Sequence, residues 1–147
     1  MDPLGRVVWQ YRFESPTTCQ HHDIEPMPNG NVLILAWERR TREEAIAAGR
    51  DPANLARNVL WPERIVEVRP VPPDGAEVVW EWRAWDHLIQ DFDPTKANHG
   101  VVADHPGRID VNFGDTTRQS PANWLHANAI AYNVELDQIA ISVRTFS

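Results

Sequence analysis

The sequence is poor in cysteine. Cys19 stands alone, which excludes an internal disulfide and any thiolate cluster. Long apolar runs are also missing: none approaches the ~20 residues that span a bilayer, so no membrane association is expected. The opening Met-Asp-Pro-Leu-Gly-Arg has no basic stretch leading into an apolar core, so no signal peptide is visible. Positive charge is in deficit. Fourteen Lys and Arg face 21 Asp and Glu, giving a net charge of −7 with the two signs interspersed. Such a surface repels phosphate backbones, which argues against nucleic acid as a partner. Several site signatures are absent as well. There is no G-x-S-x-G for a serine nucleophile. Neither G-x-G-x-x-G nor a P-loop occurs, and no H-x-H or H-x-x-x-H spacing, so no nucleotide cofactor and no metal site is expected.

Tryptophan and proline are plentiful by contrast, at seven and twelve of 147 residues. Aromatic-rich strands joined by many turns fit an all-β chain. Gly5 to Phe13 (GRVVWQYRF) reads as a strand. His22 to Met27 and Asn31 to Glu38 read as a hairpin around Pro28-Asn29-Gly30. Thr41 with Glu44 matches a capping box, and Gly49 is a stop, so 41–48 is predicted to be a short helix. Arg64 to Arg69 and Ala76 to Arg83 are strands flanking the turn Pro70 to Gly75. One helical turn is expected over Trp85 to Gln90, loop over 91–123, and a last hairpin from Ala127 to Tyr132 and Gln138 to Arg144.

A weak repeat underlies this order. Val7-Val8-Trp9-Gln10-Tyr11-Arg12 matches Val78-Val79-Trp80-Glu81-Trp82-Arg83, and each copy leads to a histidine, a turn and an apolar strand. His22 and His126 are the matched histidines. Repeats of short strands are the mark of a β-propeller. The chain is expected to be a partial propeller over 1–147, two to three blades with short helical insertions, from the middle of a longer protein.

In a propeller the innermost strands line a shared channel, so His22 and His126 would point into one space. Alternation places Asn128 on the face of His126. Arg144 ends the last strand with a planar donor fork suited to carboxylate, phosphate or sulfate. Each residue also has a plain structural reading, as a strand-end or surface polar group. Converging, they would form an oxyanion site, and spacing alone does not separate sulfate from phosphate. His21 is a neighbour of His22, and either could face the channel. His87 is a further candidate, as a general base or substrate contact.

The stretch His21-His22-Asp23-Ile24-Glu25-Pro26-Met27-Pro28-Asn29-Gly30-Asn31 resembles a pattern of the bacterial arylsulfotransferases. Trp124-Leu125-His126-Ala127-Asn128 is similar to their Asp-Trp-x-His-x-Asn motif, and Ser142-Val143-Arg144 to their closing Ser-x-Arg. Trp85 to Asp91 also looks like a segment of many members. The resemblance implies a six-bladed propeller that moves sulfate from an aryl sulfate ester to a phenol, through a transiently sulfated histidine and without a nucleotide donor. It implies catalytic roles for His22, His126, Asn128 and Arg144, substrate contacts for His21 and His87, and no cofactor. Position 123 is Asn where the family usually has Asp. The histidine that takes the sulfate has no counterpart before Ser147, so these residues alone are expected to be inactive. Family members are often exported. A non-catalytic binding propeller and a sulfate-ester hydrolase on the same scaffold are the alternatives.

Overall fold

The computed structural model describes residues 2–55, 57–114 and 122–146. Among them the architecture is all-β with little helix. Strands β1 (Glu14–Ser15), β2 (Thr18–Pro26) and β3 (Val32–Glu38) come first. The short β4 (Arg40–Thr41), helix α1 (Arg42–Ala47) and β5 (Val59–Leu60) follow. The long β6 (Glu63–Val71) and β7 (Gly75–Arg83) complete the main sheet. Its order is β1-β2-β3-β6-β7, antiparallel throughout. Next come β8 (Leu88–Ile89) and β9 (Ile109–Asp110), a short parallel pair. The hairpin of β10 (Ala127–Asn133) and β11 (Gln138–Val143) forms a separate two-stranded sheet.

The elements follow from local chemistry. Gly30, at φ +85°, supplies the left-handed residue between β2 and β3. The Leu33–Ala36 run is buried on both faces, which suits a central strand. Helix α1 starts at the predicted capping box, with the Glu44 amide donating to Thr41 Oγ1 and the Thr41 amide to the Glu44 carboxylate. Gly49, at φ +99°, ends it, and a Cβ there would lie 2.4 Å from the Gln90 side chain. Gln90 is itself fully buried, and its amide gathers the Asp93 and Ala97 backbone into a compact loop.

One expectation fails. Residues 7–13 form no strand. Their β-branched and aromatic content favours extended backbone, and they are held by isolated bonds such as Gln10 N–H to the Pro73 carbonyl. A strand also needs a neighbour to ladder with, and no strand of the described residues pairs with this segment. The aromatic residues at alternate positions nevertheless line up, with Trp9 over Tyr11 at 6.2 Å and Tyr11 over Phe13 at 6.3 Å. Trp9 and Phe13 pack on the face formed by Ile34, Val66 and Val68.

The hairpin docks on the main sheet in two ways. Ala127 and Ile130 join Leu33, Leu35 and Ile65 in one apolar cluster. The edge of β10 that faces away from β11 is then served by carboxylates. Ala127 N–H donates to Glu63 at 2.9 Å, Ile130 N–H to Asp23 at 3.0 Å and Tyr132 N–H to Glu25 at 3.4 Å. Unpaired backbone donors at a buried contact are costly, and these side chains satisfy them. The arrangement is consistent with part of a propeller.

Candidate functional site

The repeat seen in the sequence reappears as matched backbone distortions. His22 has φ +54° and His126 has φ +55°. Left-handed backbone costs a residue with a Cβ roughly 1–2 kcal/mol, so two such histidines at equivalent places are a marked feature. His22 lies within a β-bulge, and His126 comes two residues before one. In β2, Gln20 pairs with Ala36 and Ile24 with Ile34, so His21, His22 and Asp23 all stand against Leu35. In β10, Ala127 pairs with Val143 and Ala129 with Ser142, leaving Asn128 as the extra residue.

These distortions bring the two imidazoles together. His22 Nε2 and His126 Nε2 are 3.1 Å apart, with ring centroids 4.9 Å apart. Arg144 follows β11 directly, and its backbone N–H donates to the His126 carbonyl at 3.1 Å. Thr145 adds a hydroxyl bond to the Leu125 carbonyl at 2.8 Å, so the turn carrying His126 is tied to the end of β11. Beneath it, Trp124 is buried and donates its indole N–H to the Phe113 carbonyl.

His126 titrates below the ordinary histidine value of 6.5. Partial burial is the largest cause, followed by the positive charge of Arg144 and the imidazoles of His22 and His21. Its Nδ1 contacts the Asn123 amide nitrogen, while Asn123 Oδ1 has no hydrogen-bond partner. A neutral imidazole donates from one nitrogen and accepts at the other, so the Asn123 contact bears on which nitrogen of His126 carries the proton.

The other candidates fall in distinct places. His22 is exposed, whereas His21 is buried, stacked on Trp37 at 4.2 Å and bonded through Nε2 to Glu63 at 2.8 Å. His22 and not His21 therefore meets His126. Asn128 is exposed on the bulge, so simple alternation with His126 does not apply. Arg144 is exposed and close enough to lower the His126 pKa. His87 stacks on Trp82 at 5.3 Å, and no hydrogen bond or ring contact joins it to the histidine pair. Among the described residues, no group of three or more His, Cys, Asp or Glu side chains could hold one metal ion. No helix of the described residues is long and apolar enough to cross a membrane.

Comparison with known proteins decides the family. The model described as Arylsulfotransferase (ASST) matches residues 1–147, the whole chain. The chain belongs to the arylsulfotransferase family. Neither curated proteins nor solved structures give a match. Membership in the arylsulfotransferases supports a sulfotransferase role for the chain, and the paired histidines lie within the matched residues.

Sequence reasoning missed Glu63, and it marked Asp23 and Asn123 as motif positions without the contacts Asp23 and Asn123 make. A signal for Glu63 was present. It shares strand parity with Ile65, on a face the structure buries, and a charge on a core face needs a partner. Asp23 stood in the resembling stretch and Asn123 stood out as a departure from the family motif, but neither pattern gave the partner. Their roles depend on which backbone lies opposite, and that is set by the two bulges.

Proposed function

We propose that the chain carries the anion-handling part of an arylsulfotransferase that needs no nucleotide donor. Sulfate moves from an aryl sulfate ester to a phenol by way of a sulfohistidine on a residue outside 1–147. In the first step the ester S–O bond breaks, an S–N bond forms, and the phenolate leaves. In the second step a phenol oxygen takes the sulfuryl group, the S–N bond breaks, and the phenol's proton passes to a base. Negative charge on the sulfuryl oxygens is met throughout by fixed donors. His22, His126 and Arg144 supply them, with the Asn128 amide beside His126. His21 supports His22 from below.

The observation that carries this reading is the 3.1 Å contact between His22 of β2 and His126 just before β10, two left-handed residues. Strained backbone at two matched histidines fits a site better than a packing accident. An aromatic substrate is supported by a cleft of about 390 Å³ that includes His22, with Trp9, Tyr11 and Phe13 among its walls. A larger cleft of about 530 Å³, between β7 and β11, contains none of these histidines. The fold proposed with this function is a six-bladed propeller. In it β2, β3, β6 and β7 are one blade, and β10 and β11 begin the next.

The test is a sulfate-transfer assay on the full-length protein, using a chromogenic aryl sulfate with and without added phenol. Phenol-dependent release, lost in both His126→Ala and Arg144→Ala, is expected. Release that ignores phenol indicates a hydrolase. No release from a well-folded protein overturns the enzyme reading for this donor class.

A further inference from the structure

The two histidine turns share one buried carboxylate. Glu63 opens β6, is fully buried, and pairs across the sheet with Trp37. Its Oε2 bonds to His21 Nε2 at 2.8 Å, and its Oε1 accepts from the Ala127 amide at 2.9 Å. His21 is the residue before His22, and Ala127 is the residue after His126. We infer that Glu63 is a positioning residue which, by gripping one neighbour of each left-handed histidine, sets the His22–His126 contact.

The geometry of the two grips is specific. The His126–Ala127 peptide plane is held at both ends, its carbonyl by the Arg144 amide at 3.1 Å and its N–H by Glu63. A plane fixed at both ends fixes ψ of His126 and therefore the line on which its ring leaves the chain. On the other side, the His21 ring is locked by the Trp37 stack and by Glu63, with its Nδ1 making no hydrogen bond. A carboxylate oxygen accepts, so the Nε2–H of His21 is the donor in that bond. One peptide bond then separates this fixed ring from His22. A carboxylate that accepts from two different elements holds both at one spacing. A side chain bonded to only one of them leaves the other free to relax. Removing a partner from such a buried charged group is costly, so the grip is strong. The inference deepens the function proposed above and rests on it for the catalytic consequence, but its structural half stands apart from any activity.

The test therefore has two arms, both on the full-length protein. The first is NMR with labelled His and Ala. The Ala127 amide donates to Glu63, and strong protection from exchange is expected because the carboxylate holds it. Exchange at the free-chain rate overturns the inference, whether or not any variant folds. Ring-proton NOEs between His22 and His126 are expected in the native protein. They should be lost in Glu63→Gln, where the amide cannot serve both donors as a carboxylate does. Leu60→Ala, which opens the core cluster under α1, is the control for lost stability and is expected to keep the NOEs. Retained NOEs in Glu63→Gln, or equal loss in both variants, contradict the positioning role. The second arm is kinetic. Glu63→Gln is expected to lower kcat for the chromogenic aryl sulfate at least tenfold while KM stays within twofold, and Glu63→Asp, one methylene short, is expected to rescue little. An unchanged kcat overturns the inference. A native protein without activity overturns the function reading and leaves the NMR arm to decide this one.

Discussion

His22 and His126 lie 104 positions apart in the chain and meet Nε2 to Nε2 at 3.1 Å. Each reaches that contact from a left-handed backbone, at φ +54° and +55°. Most residues with a Cβ avoid this region, and glycine enters it freely. Replacement of His126 by Gly should therefore leave the protein about 1 kcal/mol more stable than replacement by Ala. The same order is expected at His22. Paired urea denaturation curves check this, and Ala variants as stable as the Gly variants would contradict it.

The lowered pKa of His126 gives a pH signature. Its folded pKa lies below the ordinary 6.5, so between the two values the unfolded chain binds more protons. Stability from this group is full above pH 6.5 and falls as the pH drops toward the folded pKa. His126→Asn cannot titrate and tolerates left-handed backbone, so its stability should fall less over the same window. Asn123→Asp should act in the opposite direction. A carboxylate beside Nδ1 favours the charged imidazole and should raise the His126 pKa. A histidine NMR titration reads both effects. A His126 pKa that Asn123→Asp leaves unchanged would sink this account of the Asn123 contact.

Helix α1 depends on its stop. Gly49 combines φ +99° with a Cβ position 2.4 Å from the Gln90 side chain. Gly49→Ala pays a backbone cost and also displaces the fully buried Gln90, whose bonds organise residues 93–97. A loss of about 2 kcal/mol or more is expected, against about 1 kcal/mol for Thr41→Ala at the helix N-cap. Thermal melts of the two variants give the comparison, and a Gly49→Ala protein as stable as Thr41→Ala would contradict the packing argument.

Local chemistry was legible in the sequence wherever a short motif determines its own geometry. Pro28-Asn29-Gly30 marked the β2–β3 turn, Thr41 and Glu44 marked the helix start, and both appear in the structure. The matched positions of His22 and His126 were also readable, through the repeat. Three things were not. The bulges that hold Asn128 and His21 to Asp23 break strict alternation, and alternation was the only guide to which side each residue faces. The strand expected over 5–13 required a partner that periodicity does not reveal. Glu63 lies 42 positions from His21 and 64 from Ala127, so only the folded chain joins them.

The central claim is that the two histidines form one site. A double-mutant cycle in the full-length protein tests it most directly, using kcat/KM for the chromogenic aryl sulfate with His22→Ala, His126→Ala and the pair. Residues that act as a unit are strongly non-additive. The double variant is expected to lose little more than the worse single variant. Losses that multiply would show two histidines acting independently, and would contradict the account.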